Sequence, residues 1–201
     1  MKRNCRSFFI VIGSFQRIGK SCIFFGKITI LRTLRRNDKG RKIMFGLGKK
    51  NREVIGAPIQ GDAVELSQVK DPTFGQEILG KGVAIIPSVG RVVAPCDGHI
   101  EMVFDTKHAI SMRSESGIEI LIHVGIDTVT LKGQHFKAYV EAGQEVKKGT
   151  LLLEFDINGI RQAGLEIISP IIICNTPNYK KVIAHAGKKV SELDEVLTLT
   201  K

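Results

Sequence analysis

The sequence of 201 residues has no tryptophan, two tyrosines, four cysteines and six prolines. Four cysteines with no C-x-x-C pair exclude a disulfide framework, a zinc ribbon and a thioredoxin-type redox centre. No apolar run approaches the roughly 20 residues that cross a bilayer as a helix. A nucleotide loop is missing as well: in Gly13-Ser-Phe-Gln-Arg-Ile-Gly-Lys-Ser21 five residues separate the two glycines, too many for a phosphate-binding loop. No Met-Lys-Met tip marks a carrier lysine, and no H-x-H pair marks a zinc peptidase.

A hydrophobic share of 43% supports a buried core and excludes full disorder. The net charge of +10 suggests a nucleic-acid binder, yet it is unevenly spread. Residues 1–43 hold twelve Lys/Arg and one acid, Asp38, which leaves 18 basic and 19 acidic residues for 44–201. A nearly neutral body argues against nucleic acid as its partner. Composition changes at Met44. The first 43 residues are therefore read as a basic N-terminal extension, and Lys39-Gly-Arg-Lys, encodable by a purine-rich run like a ribosome-binding site, points to an over-extended start. The other reading is a membrane-surface or targeting arm; no small-residue cleavage site follows to make it a signal peptide.

From Met44 onward, glycine and proline punctuate short apolar runs at 83–86, 91–94, 100–104, 109–112, 118–124, 151–155, 165–168, 171–174 and 196–199. This pattern predicts an all-β protein, an antiparallel sandwich or barrel-like single domain over 44–201. Short helical turns are expected only at 73–79, 157–163 and 178–183. Gly143, Val146 and Gly149 resemble the turn of biotinyl and lipoyl carrier barrels, a structural signal.

The most informative stretch is Thr106-Lys-His-Ala-Ile-Ser-Met-Arg-Ser-Glu-Ser-Gly-Ile-Glu-Ile-Leu-Ile-His-Val-Gly-Ile-Asp127. Two alternating strands flank Ser114-Glu-Ser-Gly117, a hairpin loop of two or four residues. Both lengths give one register, with His108 opposite His123, Ile110 opposite Leu121 and Thr106 opposite Gly125. Opposed Cβ atoms lie about 4.5–5.5 Å apart, so the two imidazoles can share a phosphate, a metal ion or a hydrogen bond. Alternation then puts Ile110, Met112 and Leu121 around them as an apolar collar, with Phe104 nearby, and sends Ile118, Ile120, Ile122 and Val124 to the core. Residues of such a collar suit a partner-docking surface.

Thr106-x-His108-Ala109, followed by Gly117-Ile-Glu-Ile-Leu-Ile-His123-Val-Gly125-Ile-Asp127-Thr-Val-x-Leu-x-Gly133-x-x-Phe136, resembles the glucose-type enzyme IIA component of the bacterial phosphoenolpyruvate-dependent sugar phosphotransferase system. Val93-Ala-Pro95-Cys-Asp-Gly98 and Ile168-Ser-Pro170 extend the resemblance. It implies a cytoplasmic phosphocarrier needing no cofactor, in which His123 is phosphorylated on Nε2 and His108 stabilises the phosphoryl group and its transfer. Thr106 would orient His108, Gly125 would offer its carbonyl to the phosphorylated ring, and Asp127 belongs to the same motif. Phe104, Ile110, Leu121 and Val124 would dock partners. Those partners would be the phosphocarrier HPr and the IIB/IIC sugar permease, the chain's route to the membrane, with other transporters or kinases as regulatory targets. A rival expectation is a zinc ion on His108 and His123, completed at a partner interface; another is a regulatory binding module without catalysis.

Overall fold

The computed structural model describes residues 52–201; the predicted extension lies outside them. In chain order the strands are β1 Arg52–Gly56, β2 Gly61–Val64, β3 Lys81–Pro87, β4 Arg91–Val93, β5 Gly98–Val103, β6 Ala109–Ser114 and β7 Glu119–His123. The second half adds β8 Phe136–Ala138, β9 Glu145–Val146, β10 Leu151–Phe155, β11 Ser169–Ile173, β12 Lys181–Ala184, β13 Lys188–Val190 and β14 Glu195–Thr200. Two short helices, α1 Pro72–Gly75 and α2 Ile157–Gln162, and three 3-10 turns complete the fold.

Every strand pairing is antiparallel, as expected of an all-β chain. One sheet has eight strands in the order β13-β2-β3-β11-β7-β6-β5-β9, and two three-stranded sheets run β1-β14-β12 and β4-β10-β8. Ile55, Val92, Ile120, Leu152 and Leu197, drawn from all three sheets, meet in one core. Val146 plugs it, and Gly143 and Gly149 turn the chain at φ of 85° and 88°, which glycine adopts without strain.

Two expectations fail at the level of elements. The run 165–168 is not a strand but the irregular link between α2 and β11, and 178–183 is not helical: a 3-10 turn, Thr176–Asn178, leads into β12. Pairing with β14 decides the latter, since it satisfies backbone groups that a lone helical turn would leave open.

A second, smaller core positions the site. In β3 and β11 alternate residues face opposite ways: Val83, Ile85, Ile171 and Ile173 enter the main core, whereas Ala84 and Ile172 pack with Leu66, Val69, Phe74, Ile126 and Ile168. Strands buried on both faces read as unbroken apolar runs. The segment through Leu66–Gln68 and α1 thus covers the outer face of the large sheet. Asp71 starts α1 as its N-cap, accepting from the Thr73 amide at 2.7 Å, with Pro72 at the first helical position.

Candidate functional site

His123 is the last residue of β7. On that strand Ile120 and Ile122 enter the main core, so Leu121 and His123 look outward, toward the segment carrying Phe74. The Phe74 and His123 ring centroids are 5.0 Å apart. Phe74 is the site residue that sequence reading missed; the Asp71-Pro72 helix start was legible, but nothing in the chain tied it to the histidines.

The hairpin register differs from the expected one by a residue. Ala109 lies opposite His123, Ile110 opposite Ile122, and Arg113 opposite Glu119. The loop has three residues: the Ser114 amide donates to the Ile118 carbonyl, and the Ser114 hydroxyl accepts from the Ile118 amide, both at 2.9 Å. Gly117, at φ of 90°, supplies the left-handed residue that a three-residue hairpin loop requires. One consequence is a correction to the collar. Ile110 and Met112 turn into the main core and, with Val124, are fully buried there, so none of the three can dock a partner. Leu121 and Phe104 remain half-buried on the site face, with Phe74 taking the place predicted for Ile110.

His108 lies just before β6, after a turn closed by the Lys107 amide donating to the Phe104 carbonyl at 2.7 Å. Lys107 has a φ of 56°, so strand alternation does not extend through the turn. His108 therefore reaches His123 from the strand end and not as its cross-strand partner. The two rings lie 4.8 Å apart, centroid to centroid, at 78° to each other. Phe104 meets the edge of His108 at 5.5 Å.

One nitrogen of each ring is held. His123 Nδ1 lies 2.8 Å from the Gly125 carbonyl oxygen, and His108 Nδ1 lies 2.5 Å from Thr106 Oγ1. A carbonyl only accepts, so Nδ1 of His123 carries the proton and Nε2 carries the lone pair. Among the described residues neither Nε2 has a protein partner, and no unpartnered side-chain nitrogen is buried. Both Nε2 atoms therefore meet solvent although the residues are only 5% and 8% exposed. Asp127 is exposed, at a φ of 58°, and holds the following turn through its carbonyl, which accepts from the Thr130 hydroxyl at 2.7 Å. Its carboxylate makes no contact with either imidazole that would assign it a part in the chemistry.

Burial pushes both histidines down to about 4 from the ordinary value of 6.5; the neighbouring imidazole adds to the effect on His108, while the Gly125 carbonyl and the Asp71 charge oppose it on His123. Both rings are neutral near pH 7, the form in which imidazole nitrogen is a nucleophile. The same shift sets a stability profile. A histidine that resists protonation only when folded contributes stability that is complete above about pH 6.5 and is lost as the pH falls toward 4. Each ring contributes up to about 1.4 kcal/mol per pH unit over that range. Denaturant unfolding of the wild type should therefore weaken between pH 6.5 and 4, with a flatter profile for His108→Gln. Identical profiles would mean that the His108 ring is not buried in solution.

Rival chemistry finds little support elsewhere. Partial burial raises the Cys96 thiol to about 12, far from a nucleophilic thiolate, and exposed Cys174 has no cationic neighbour among the described residues to lower its own. A cavity of about 200 Å³ lined by Glu53, Cys96, Asp97, Ser114 and Glu115 lies at the loop end of the hairpin, away from the histidines. Its carboxylates are occupied by Lys147 and Lys201.

Known proteins carry the same domain. The family model described as phosphoenolpyruvate-dependent sugar phosphotransferase system, EIIA 1, matches residues 53–179. A glucose-specific EIIA component of Bacillus cereus is 48% identical over 147 residues, covering 73% of this chain and 89% of its own length. Two Bacillus subtilis relatives are longer. The chain matches 19% of a glucosamine-specific EIICBA component, at 55% identity over 59% of its own residues, and 25% of a β-glucoside-specific EIIBCA component, at 43% identity over 75%. It thus spans a quarter or less of the length of these two relatives. The solved glucose permease IIA of Mycoplasma capricolum superposes with a TM-score of 0.70 at 35% identity, covering 77% of this chain and 99% of that one. With the family model reaching across the whole hairpin and most of the large sheet, the chain belongs to the EIIA 1 family of the phosphoenolpyruvate-dependent sugar phosphotransferase system.

Proposed function

We propose that this domain is a phosphocarrier in which His123 Nε2 accepts a phosphoryl group from the phosphohistidine of HPr and passes it to a cysteine of a permease IIB domain in the cytoplasm. The observation that carries the reading is the pair of neutral, buried imidazoles with Nδ1 held and Nε2 open. In the forward step the Nε2 lone pair forms the new N–P bond as the donor's N–P bond breaks, its electron pair returning to the donor ring. His123 keeps its Nδ1 proton on the Gly125 carbonyl, so the phosphorylated ring is cationic and leaves as neutral imidazole in the next transfer. Phosphoryl transfer has a loose transition state, and the site has mainly to position and neutralise.

The half-buried rim of Phe104 and Leu121, backed by buried Phe74, is suited to excluding water once a partner docks. The longer relatives carry the A component with B and C components, as their names state, which supports a IIB/IIC permease as the acceptor. No helix among the described residues is long and apolar enough to cross a membrane. A zinc ion would take two ligands from His108 and His123; no third His, Cys, Asp or Glu completes a site among the described residues, so the remainder would come from a partner.

Incubation with phosphoenolpyruvate, enzyme I and HPr, followed by intact mass measurement, tests the reading. One acid-labile phosphoryl group should appear. A folded protein that gains no mass would overturn it.

A further inference from the structure

Two buried hydroxyls hold the backbone that follows His123. The chain leaves β7 through Val124 and Gly125, whose shared peptide group is a rigid plane. At one end of that plane the Val124 carbonyl accepts from the Thr128 hydroxyl at 2.6 Å. At the other the Gly125 amide donates to Ser169 Oγ at 3.2 Å. Ser169 Oγ in turn donates to the Ile167 carbonyl at 2.8 Å, so its only proton is committed and its lone pair faces Gly125. Thr128 and Ser169 are both 0% exposed. The next plane is pinned likewise: the Ile126 amide donates to the Glu166 carbonyl at 2.9 Å, and the Gly125 carbonyl accepts from His123 Nδ1.

Space is as constrained as the hydrogen bonding. Gly125 has a φ of 71°, and a Cβ there would lie 2.6 Å from the Thr128 methyl and 2.8 Å from the Glu166 carbonyl oxygen. The Thr128 methyl thus presses on the glycine while its hydroxyl holds the carbonyl before it. Without either hydroxyl, a buried backbone group loses its partner, and the peptide is drawn to rotate toward water or another donor. Rotation of that plane displaces the Gly125 Cα, through which the following plane and its Gly125 carbonyl move away from Nδ1, and with it goes the reason why Nε2 holds the lone pair.

From this geometry we infer that Thr128 and Ser169 are positioning residues for the phosphoryl-accepting nitrogen, a hydroxyl clamp that fixes the tautomer and ring orientation of His123 through the Gly125 carbonyl. Neither touches the reacting atoms. They act as outer partners do at a metal-bound histidine, where the hydrogen bond on one ring nitrogen sets the chemistry of the other.

The inference rests on His123 being the phosphoryl acceptor, so the test has one arm that needs no phosphate. In that arm, ¹⁵N NMR of histidine-labelled protein at neutral pH reads the His123 tautomer directly. The wild type should show protonated Nδ1, and Thr128→Val and Ser169→Ala should each shift the ring toward a mixture of tautomers. Valine keeps the methyl that packs on Gly125 and removes only the hydroxyl. In the second arm, the rate of phosphoryl acceptance from phosphoenolpyruvate through enzyme I and HPr should fall roughly 10- to 100-fold in both variants. Thr128→Ser and Ser169→Thr, which keep the hydroxyls, should stay within a few-fold of wild type. Folded variants with a lowered melting temperature but unchanged tautomer and rate would overturn the clamp by showing a structural role alone. A wild-type His123 protonated on Nε2 would overturn it without any variant. A wild type that takes no phosphate, with tautomers that shift as stated, would support the clamp and overturn the phosphocarrier reading.

Discussion

His123→Ala is expected to lose phosphoryl acceptance altogether, by at least about a thousand-fold in rate, while the domain stays folded. The nucleophile cannot be replaced in place: Phe74 and Phe104 offer no lone pair, and Leu121 none either. Folding should survive because His123 sits at the end of β7 on the outer face, and its strand neighbours Ile120 and Ile122 keep their places in the main core. Removing a buried ring also removes the burden of holding it uncharged. The rival nucleophile at the site, among the described residues, is His108, whose Nε2 also meets solvent. Its Nδ1 partner is a hydroxyl, which donates as readily as it accepts, so the proton of His108 is not confined to one nitrogen as that of His123 is. The check is intact mass after exposure to phosphoenolpyruvate, enzyme I and HPr, with peptide mapping of any acid-labile adduct. An adduct on His108 in the His123→Ala protein, formed at the wild-type rate, would reverse the two roles.

Sequence reasoning reached the fold class and the chemical pair by different routes, and the structure bears on them unequally. Short apolar runs between glycines and prolines are enough to signal antiparallel strands, and the longer ones, β3, β5, β6, β7, β10 and β14, fall where such runs stand. Most strands of two to four residues, such as β9 at Glu145–Val146 or β12 at Lys181–Ala184 but not β4, carry too few alternations to be read and exist because a neighbouring strand pairs with them. The hairpin shows the sharper limit. Loops of two and four residues give the same register, and only the three-residue loop, stabilised by Ser114 bonding twice to Ile118, gives the register found. A one-residue slip exchanges the two faces of a strand. That is why Ile110, read as a docking residue, belongs to the core; Val124 faces the core in either register. The proximity of His108 and His123 survives, because His108 lies just before the start of β6, after the turn at Lys107. The wall built by Phe74 was out of reach, because it depends on a segment some fifty residues upstream folding over the outer face of β3 and β11.

Replacing His108 by glutamine should separate the two half-reactions: acceptance of phosphate persists within a few-fold of wild type, whereas donation to a IIB domain slows by roughly 100- to 1,000-fold. Acceptance needs the Nε2 lone pair of His123, which the Gly125 carbonyl secures without help from His108. Donation would need the negative charge of the phosphoryl group balanced while its bond to His123 loosens, and His108 lies 4.8 Å away, ring centroid to ring centroid, within reach of that charge. Its electrostatics reverse with the state of the site. In the free protein, burial and the neighbouring ring hold His108 neutral, near a value of about 4. A phosphate on His123 places negative charge beside it and draws a proton back, so a group uncharged on arrival of the phosphoryl becomes a cation that supports its departure. Glutamine retains a hydrogen-bonding amide of similar reach and cannot take that proton. Single-turnover transfer from purified phospho-protein to a IIB domain, followed across pH 5 to 9, reads the difference. The wild-type rate should fall as pH rises past the raised value of His108, and the glutamine variant should be slow and nearly independent of pH. Wild-type donation by His108→Gln, with the same pH profile, would refute the role of the second histidine and leave His123 to act alone.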